Sequence, residues 1–280
     1  MTDKKVMTIQ DISCMGQCSL TVALPIISAC GVETIILPAA VLSTHTGGFT
    51  GYTFRDLTDD IPGIMNHWVK EGIKYDCIYT GYLGSVTQIE YVKDLKKNVL
   101  KEGGLTIVDP AMADNGKLYY GFDDIFVKNM AKLCSEADII LPNITEAAFM
   151  TDSEIKLGVV TEDYIKDLLD KLSKLGAKKT VLKGIRYDEE KIGVAVYDNV
   201  TGSLQYYFTE KMEKSYHGTG DCYASAFTGS LMQGGSILES ASLAADFVVE
   251  SIKKTIDDDS HPYGVKFEKA LPMLVTKLNR

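Results

Sequence analysis

Ser215-Tyr216-His217-Gly218-Thr219-Gly220-Asp221-Cys222-Tyr223-Ala224-Ser225-Ala226 is the stretch on which the reading of this 280-residue chain turns. Two glycines bracket a threonine, and an aspartate follows at once. The residues beyond it (Ala224, Ala226, Phe227, Leu231, Met232) suit a buried helix. A glycine loop entering a helix leaves backbone N–H groups unpaired at the positive end of that helix. Glycine also lets a ligand approach the backbone closely. Such a loop holds anions, phosphate above all. Asp221 would repel a bare anion. It makes sense if it acts on a group beside the phosphate, such as a hydroxyl about to attack it. The same residues are read equally well as a turn with Asp221 as an ordinary helix cap.

Working outward, short apolar runs alternate with amphipathic segments along the whole chain. Strands are predicted at residues 6–12, 34–41, 77–83, 105–108, 138–141 and 180–183. Helices are predicted at 19–30, 58–71, 86–100 (closed by Gly103-Gly104), 122–135, 145–150 (with Thr145 as cap) and 162–175. Residues 42–55 and 111–120 read as a loop and a polar turn region. Residues 192–198 and 204–209 alternate around Asn199-Val200-Thr201-Gly202 and read as a late antiparallel hairpin. After the opening loop come its helix, a second at 237–256 and a closing one near 267–278. Repeats and linkers are absent, so residues 1–280 are expected to form one three-layer α/β/α domain around a mostly parallel sheet.

Open parallel sheets bind ligands beyond the carboxyl ends of their strands. The residues that follow each predicted strand are Ser13, then Ser43 to Gly48 with His45, Thr46 and Gly47, then Tyr82 leading to Gly84-Ser85. They continue with Asp109 and Asp114, Asn143 and Glu146, Lys183, and finally Gly218 to Asp221. Hydroxyls, carboxylates, an amide and a lysine fall on one rim. Asp109, Asp114 and Glu146 are hard oxygen groups suited to Mg²⁺ held through water. Lys183 suits nucleotide phosphate, and equally a solvated strand end. Tyr82 suits an aromatic substrate or the core, and His45 reads best as a satisfied loop residue.

Composition narrows the field. The formal net charge of −9 argues against nucleic acid or an anionic membrane as the main partner. The six cysteines include no Cys-x-x-Cys pair, which argues against a zinc site. With no apolar run near 18 residues and no leader-like start, a cytoplasmic protein is expected. The P-loop, the dinucleotide fingerprint and the protein-kinase set are all missing.

Gly218-Thr219-Gly220-Asp221 at the start of a late helix resembles the signature of the ribokinase-like superfamily. Residues 108–119 (Val-Asp-Pro-Ala-Met-Ala-Asp-Asn-Gly-Lys-Leu-Tyr) resemble the Asp-Pro…Leu-Tyr segment of the pyridoxal kinases. So do Thr80-Gly81-Tyr82-Leu83-Gly84-Ser85, His45-Thr46-Gly47 and Pro142-Asn143-x-x-Glu146. The resemblance covers nearly the whole chain in order. It implies ATP-dependent phosphorylation of the hydroxymethyl group of a vitamin B6 compound, with Mg²⁺, a monovalent cation as a further candidate, and a homodimer. Carried over by position, Asp221 is the base and the Gly218, Thr219 and Gly220 segment is the anion hole. Ser13, Thr46, Gly47 and Tyr82 face the pyridine ring. Asp109, Asp114, Asn143, Glu146 and Lys183 serve the nucleotide and Mg²⁺. The 114–120 loop is a candidate flap, and the helix terminus is expected to lower the pKa of Asp221. The run at residues 10–19 departs from the family's short start, leaving Asp11 and Ser13 both as candidates. His217 resembles the hydroxymethylpyrimidine kinases of thiamine synthesis, which are the alternative; those often carry Cys at the base position. A binding-only carrier has no need of Asp221, and a sugar kinase fits Tyr82 and Thr46 less well.

Overall fold

The computed structural model describes residues 3–278. In it the apolar runs become β1 (Lys5–Ser13), β2 (Glu33–Leu42), β3 (Phe54–Asp56), β4 (Tyr75–Thr80) and β5 (Leu100–Val108). They continue as the short pair β6 (Ala113–Asp114) and β7 (Lys117–Leu118), then β8 (Ile139–Ile140), β9 (Lys179–Ile185), β10 (Lys191–Asp198) and β11 (Ser203–Glu210). Nine of these form one sheet in the order β11-β10-β9-β8-β5-β4-β1-β2-β3. The six inner strands are parallel, while β3 at one edge and β10 and β11 at the other run antiparallel to their neighbours. The central strands bury both faces, so they read as continuous apolar runs.

Helices cover both faces. α1 (Leu20–Ala29), α7 (Thr219–Met232), α8 (Ile237–Lys253) and α9 (Leu271–Leu278) pack on one side around Ile26, Phe227 and Phe247. α2 (Ile61–Lys70), α3 (Val86–Val99), α4 (Asp124–Ser135), α5 (Ile144–Met150) and α6 (Glu162–Leu175) pack on the other around Ile89, Met130 and Leu168. The α/β class, the parallel sheet and the late hairpin all match expectation.

Four local readings need correction. β3 is a three-residue edge strand inside the expected 42–55 loop, too short to show alternation. Gly103-Gly104 do not close α3; they lie inside β5, which begins directly at Leu100. The 111–120 turn region contains the β6–β7 hairpin, joined by Asn115-Gly116 with φ of 50° and 78°. That dipeptide is the favoured two-residue hairpin turn, because both of its positions need positive φ. Finally, α5 is capped by Asn143 and not by Thr145. The Asn143 side chain accepts from the Glu146 N–H, and Glu146 reaches back to the Asn143 N–H, a capping box.

The chain leaves β1 for β2 on one side and later returns to β4 on the other. The strand order therefore reverses between β1 and β4, where an open parallel sheet forms its crevice.

Candidate active site

α7 begins at Gly218, whose φ of 77° lets the loop turn sharply into the helix. A side chain there is impossible, since a Cβ would lie 1.6 Å from the carbonyl oxygen of Gln17. The first intrahelical bond is donated by Cys222 to the Gly218 carbonyl (2.9 Å). The N–H groups of Thr219, Gly220 and Asp221 thus have no acceptor in the helix, and the cap supplies no side chain to them. No atom lies near the missing Cβ of Gly220. These donors open into a cleft of about 520 Å³ that also reaches Asp114, Asn143, Lys183, Arg186 and Met212. Three unpaired donors at a helix N-terminus, facing an open cleft, are groups able to receive an anion.

Asp221 reaches the cleft from the third helical position. One carboxylate oxygen accepts the Ser19 N–H at 2.9 Å. Burial pushes its pKa up to about 7; the Ser19 N–H and Lys183 work against this, and Asp109 and Asp11 work with it. The expected lowering by the helix terminus is therefore corrected: loss of water outweighs the favourable dipole. A carboxylate near neutrality is a far better base than a free aspartate.

Of the residues that the resemblance assigns to the nucleotide, Asp109, Asn143, Glu146 and Lys183 cluster at the ends of β5, β8 and β9, and Asp114 lies on β6. Asp109 is almost wholly buried and accepts from the Lys183 ammonium at 2.7 Å. Burial raises the Asp109 pKa, with Lys183 opposing. Burial alone would pull Lys183 down, but Asp109 and Glu146 outweigh it and hold it charged. Glu146 is just as buried, and both its oxygens are occupied by the N–H groups of Met112 (3.0 Å) and Asn143 (2.9 Å). Asn143 also donates to the Ala113 carbonyl (2.8 Å), and Thr145 accepts from Gly116 (3.1 Å). The β6–β7 hairpin that carries Asp114 is thereby pinned to the N-terminus of α5.

Among the described residues no group of three or more His, Cys, Asp or Glu is placed to hold a metal ion. With Glu146 occupied by N–H donors and Asp109 by Lys183, the site offers no protein-only cage. What it fits is a hydrated Mg²⁺ brought in on phosphate.

On the other side of Asp221, Ser13 is buried and donates its hydroxyl to Asp11 at 2.9 Å. Asp11 also accepts from the Ser19 hydroxyl at 2.5 Å. Tyr82 is half-buried and stacks on Phe122 at 5.5 Å. Burial pushes its hydroxyl up to about 12, with Asp11, Tyr52 and Asp56 adding to it. Thr46 is exposed in the loop after β2. His45 is buried and satisfied, against the Tyr263 carbonyl (2.9 Å) and the Gly47 N–H (3.1 Å). A Cβ on Gly47 would lie 2.6 Å from the His217 ring, so the histidine before the glycine loop fills the place of a side chain there. The residues not found from sequence are Ser19, visible only as the start of α1, and Arg186. The Arg186 Nε is buried without a partner among the described residues, and no motif signals it.

A family profile described as phosphomethylpyrimidine kinase matches residues 24–265. The chain belongs to that family. Its fold is shared with a *Bacteroides thetaiotaomicron* protein provisionally described as a phosphomethylpyrimidine kinase and solved with pyridoxal. The two are 37% identical with a TM-score of 0.91, over 98% of this chain and 96% of that one. Pyridoxal kinase from *Lactobacillus plantarum* is 29% identical with a TM-score of 0.89, over 98% and 97%. The hydroxymethylpyrimidine/phosphomethylpyrimidine kinase of *Bacillus subtilis* is 30% identical over 67% of each chain. This protein is thus a kinase of the pyridoxal/phosphomethylpyrimidine kinase family.

Proposed function

We propose that this kinase transfers the γ-phosphoryl group of ATP to the hydroxymethyl group of a vitamin B6 compound. The observation that carries the reading is the Asp221 carboxylate: one oxygen held by the Ser19 N–H, the other open beside three unpaired N–H groups. The substrate hydroxyl gives its proton to that open oxygen as its own oxygen bonds to the γ-phosphorus. The bond to the β-phosphate oxygen breaks and ADP leaves. The Thr219, Gly220 and Asp221 N–H groups receive the charge spread over the transferring phosphoryl, and fixed donors of this kind need no reorganisation.

The nucleotide lies in the cleft along Asp109, Asp114, Asn143, Glu146 and Lys183, with the Arg186 donor among them. Asp109 would be the carboxylate to meet the waters of a Mg²⁺ ion carried on the triphosphate, and that ion would supply screening of the phosphate charge. The ring lies between Tyr82 and the Thr46-Gly47 loop, near Ser13 and Asp11. An aspartate at the base position and the *Bacteroides* relative's crystal with pyridoxal both favour the B6 ring. The second reading is hydroxymethylpyrimidine. It is favoured by His217 next to the glycine loop and by the likeness to the *Bacillus subtilis* enzyme.

Mg-ATP turnover with pyridoxal, pyridoxine, pyridoxamine and hydroxymethylpyrimidine, run side by side, decides between them. The expected result is highest kcat/KM on a B6 compound. Turnover of hydroxymethylpyrimidine alone overturns this reading in favour of the second.

A further inference from the structure

Ser19 has φ 57° and ψ −135°, a backbone conformation that favours glycine. Yet the residue is serine, and both of its polar groups are engaged. Its hydroxyl donates to one oxygen of buried Asp11 (2.5 Å), and its N–H donates to Asp221 (2.9 Å). The second Asp11 oxygen takes the Ser13 hydroxyl. Asp11 is therefore fixed from both ends and serves as a post to which Ser19 is tied.

The surrounding loop is braced as well. The Gln17 amide donates to Glu268 (2.8 Å), its backbone N–H donates to the Tyr263 carbonyl (3.3 Å), and its carbonyl covers Gly218. With the loop braced at Gln17, two residues before it, the turn at Ser19 sets the direction of its N–H.

The geometry points to Ser19 as a positioning residue of the reaction: its hydroxyl, tied to Asp11, holds a strained turn whose N–H aims one oxygen of Asp221 and leaves the other for the substrate. This rests on Asp221 being the base. Ser19→Ala keeps the N–H but loses the tie, so the strained backbone relaxes and the N–H swings away. Ser19→Gly also loses the tie but takes the observed backbone angles freely, so it folds at least as well as the parent.

The test is steady-state kinetics of Ser19→Ala, Ser19→Gly, Asp221→Asn and Ser19→Ala/Asp221→Asn with Mg-ATP and the best substrate, alongside thermal unfolding. Slow variants are followed at high enzyme concentration. The expected result is a kcat lowered about 10- to 100-fold by Ser19→Ala. Ser19→Gly falls between it and the parent, and KM for ATP stays within about twofold in both. In the Asp221→Asn background, Ser19→Ala should have no further effect on kcat. Parent-like kcat in Ser19→Gly overturns the proposal, as do losses that multiply in the double variant or a loss confined to KM. If Asp221→Asn itself keeps near-parent kcat, it is the assignment of the base that falls, and this inference with it.

Discussion

Glu146 and Asp221 hold the same place in two different helices, the third position of α5 and of α7; Glu146 is buried and Asp221 half-buried at the cleft. Glu146 has an N–H on each oxygen and sits behind an asparagine cap. Asp221 has one N–H, from another element, and follows a cap that has no side chain. The first is an acid consumed by architecture, while the second is kept short of donors. Burial raises both pKa values, Glu146 to about 8 and Asp221 to about 7, so the shift alone does not tell them apart; the oxygen left open on Asp221, free to take a proton, does. Counting donors separates the two where sequence position cannot.

The comparison breaks most visibly by removing each charge in turn. Asp221→Asn is expected to lower kcat about 10³-fold with nucleotide affinity nearly unchanged, measured by steady-state kinetics and ADP titration. The parent's kcat should fall about tenfold per pH unit below about 7, because only ionised Asp221 accepts the proton, and level off above. Lys183→Ala strands Asp109 in the interior and should cost about 3–5 kcal/mol in urea unfolding, besides raising KM for ATP. Adding Asp109→Asn should recover part of the stability but not the KM. Glu146→Gln leaves one N–H without an acceptor and should cost about 1–3 kcal/mol.

The smallest effect has the opposite sign. Asp221 has a folded pKa above its unfolded one, so the folded state binds the extra proton and loses stability as pH rises from about 4 to 7. Asp221→Asn removes that loss. Its Tm should exceed the parent's by a few degrees at pH 8, and the difference should vanish near pH 4 in a pH series of thermal melts. A Tm below the parent's at pH 8 would mean that the carboxylate is better satisfied than the geometry shows.

The layers of the fold were legible because long-period patterns carried them. The 162–175 helix is reproduced to the residue as α6, and the late hairpin to within one residue at its ends. What escaped was short or tertiary. β3 has three residues, too few to show alternation, whereas the still shorter β8 is announced by the apolar run at 138–141. The Asn115-Gly116 turn has a favourable dipeptide, but it sits in a polar run with no apolar alternation on either side. At the site, the rim residues could be named from strand ends. Their pairings could not, since Asp109 meets Lys183 across 74 positions and Asp221 meets Ser19 across 202. The pKa of Asp221 departs from expectation for the same reason: a sequence shows the helix terminus but not the loss of water around the carboxylate.

Those separations bear on how the enzyme comes into being. The Gln17 amide reaches Glu268, 251 positions on, and the carbonyl of the same residue lies against Gly218. A ribosome adding about 5–20 residues per second releases β1, β2, β4 and β5 well before α7 exists. The early chain can assemble a sheet while its reaction centre is still unsynthesised. Activity should therefore be the last property that a new chain gains and the first that a C-terminal truncation takes away.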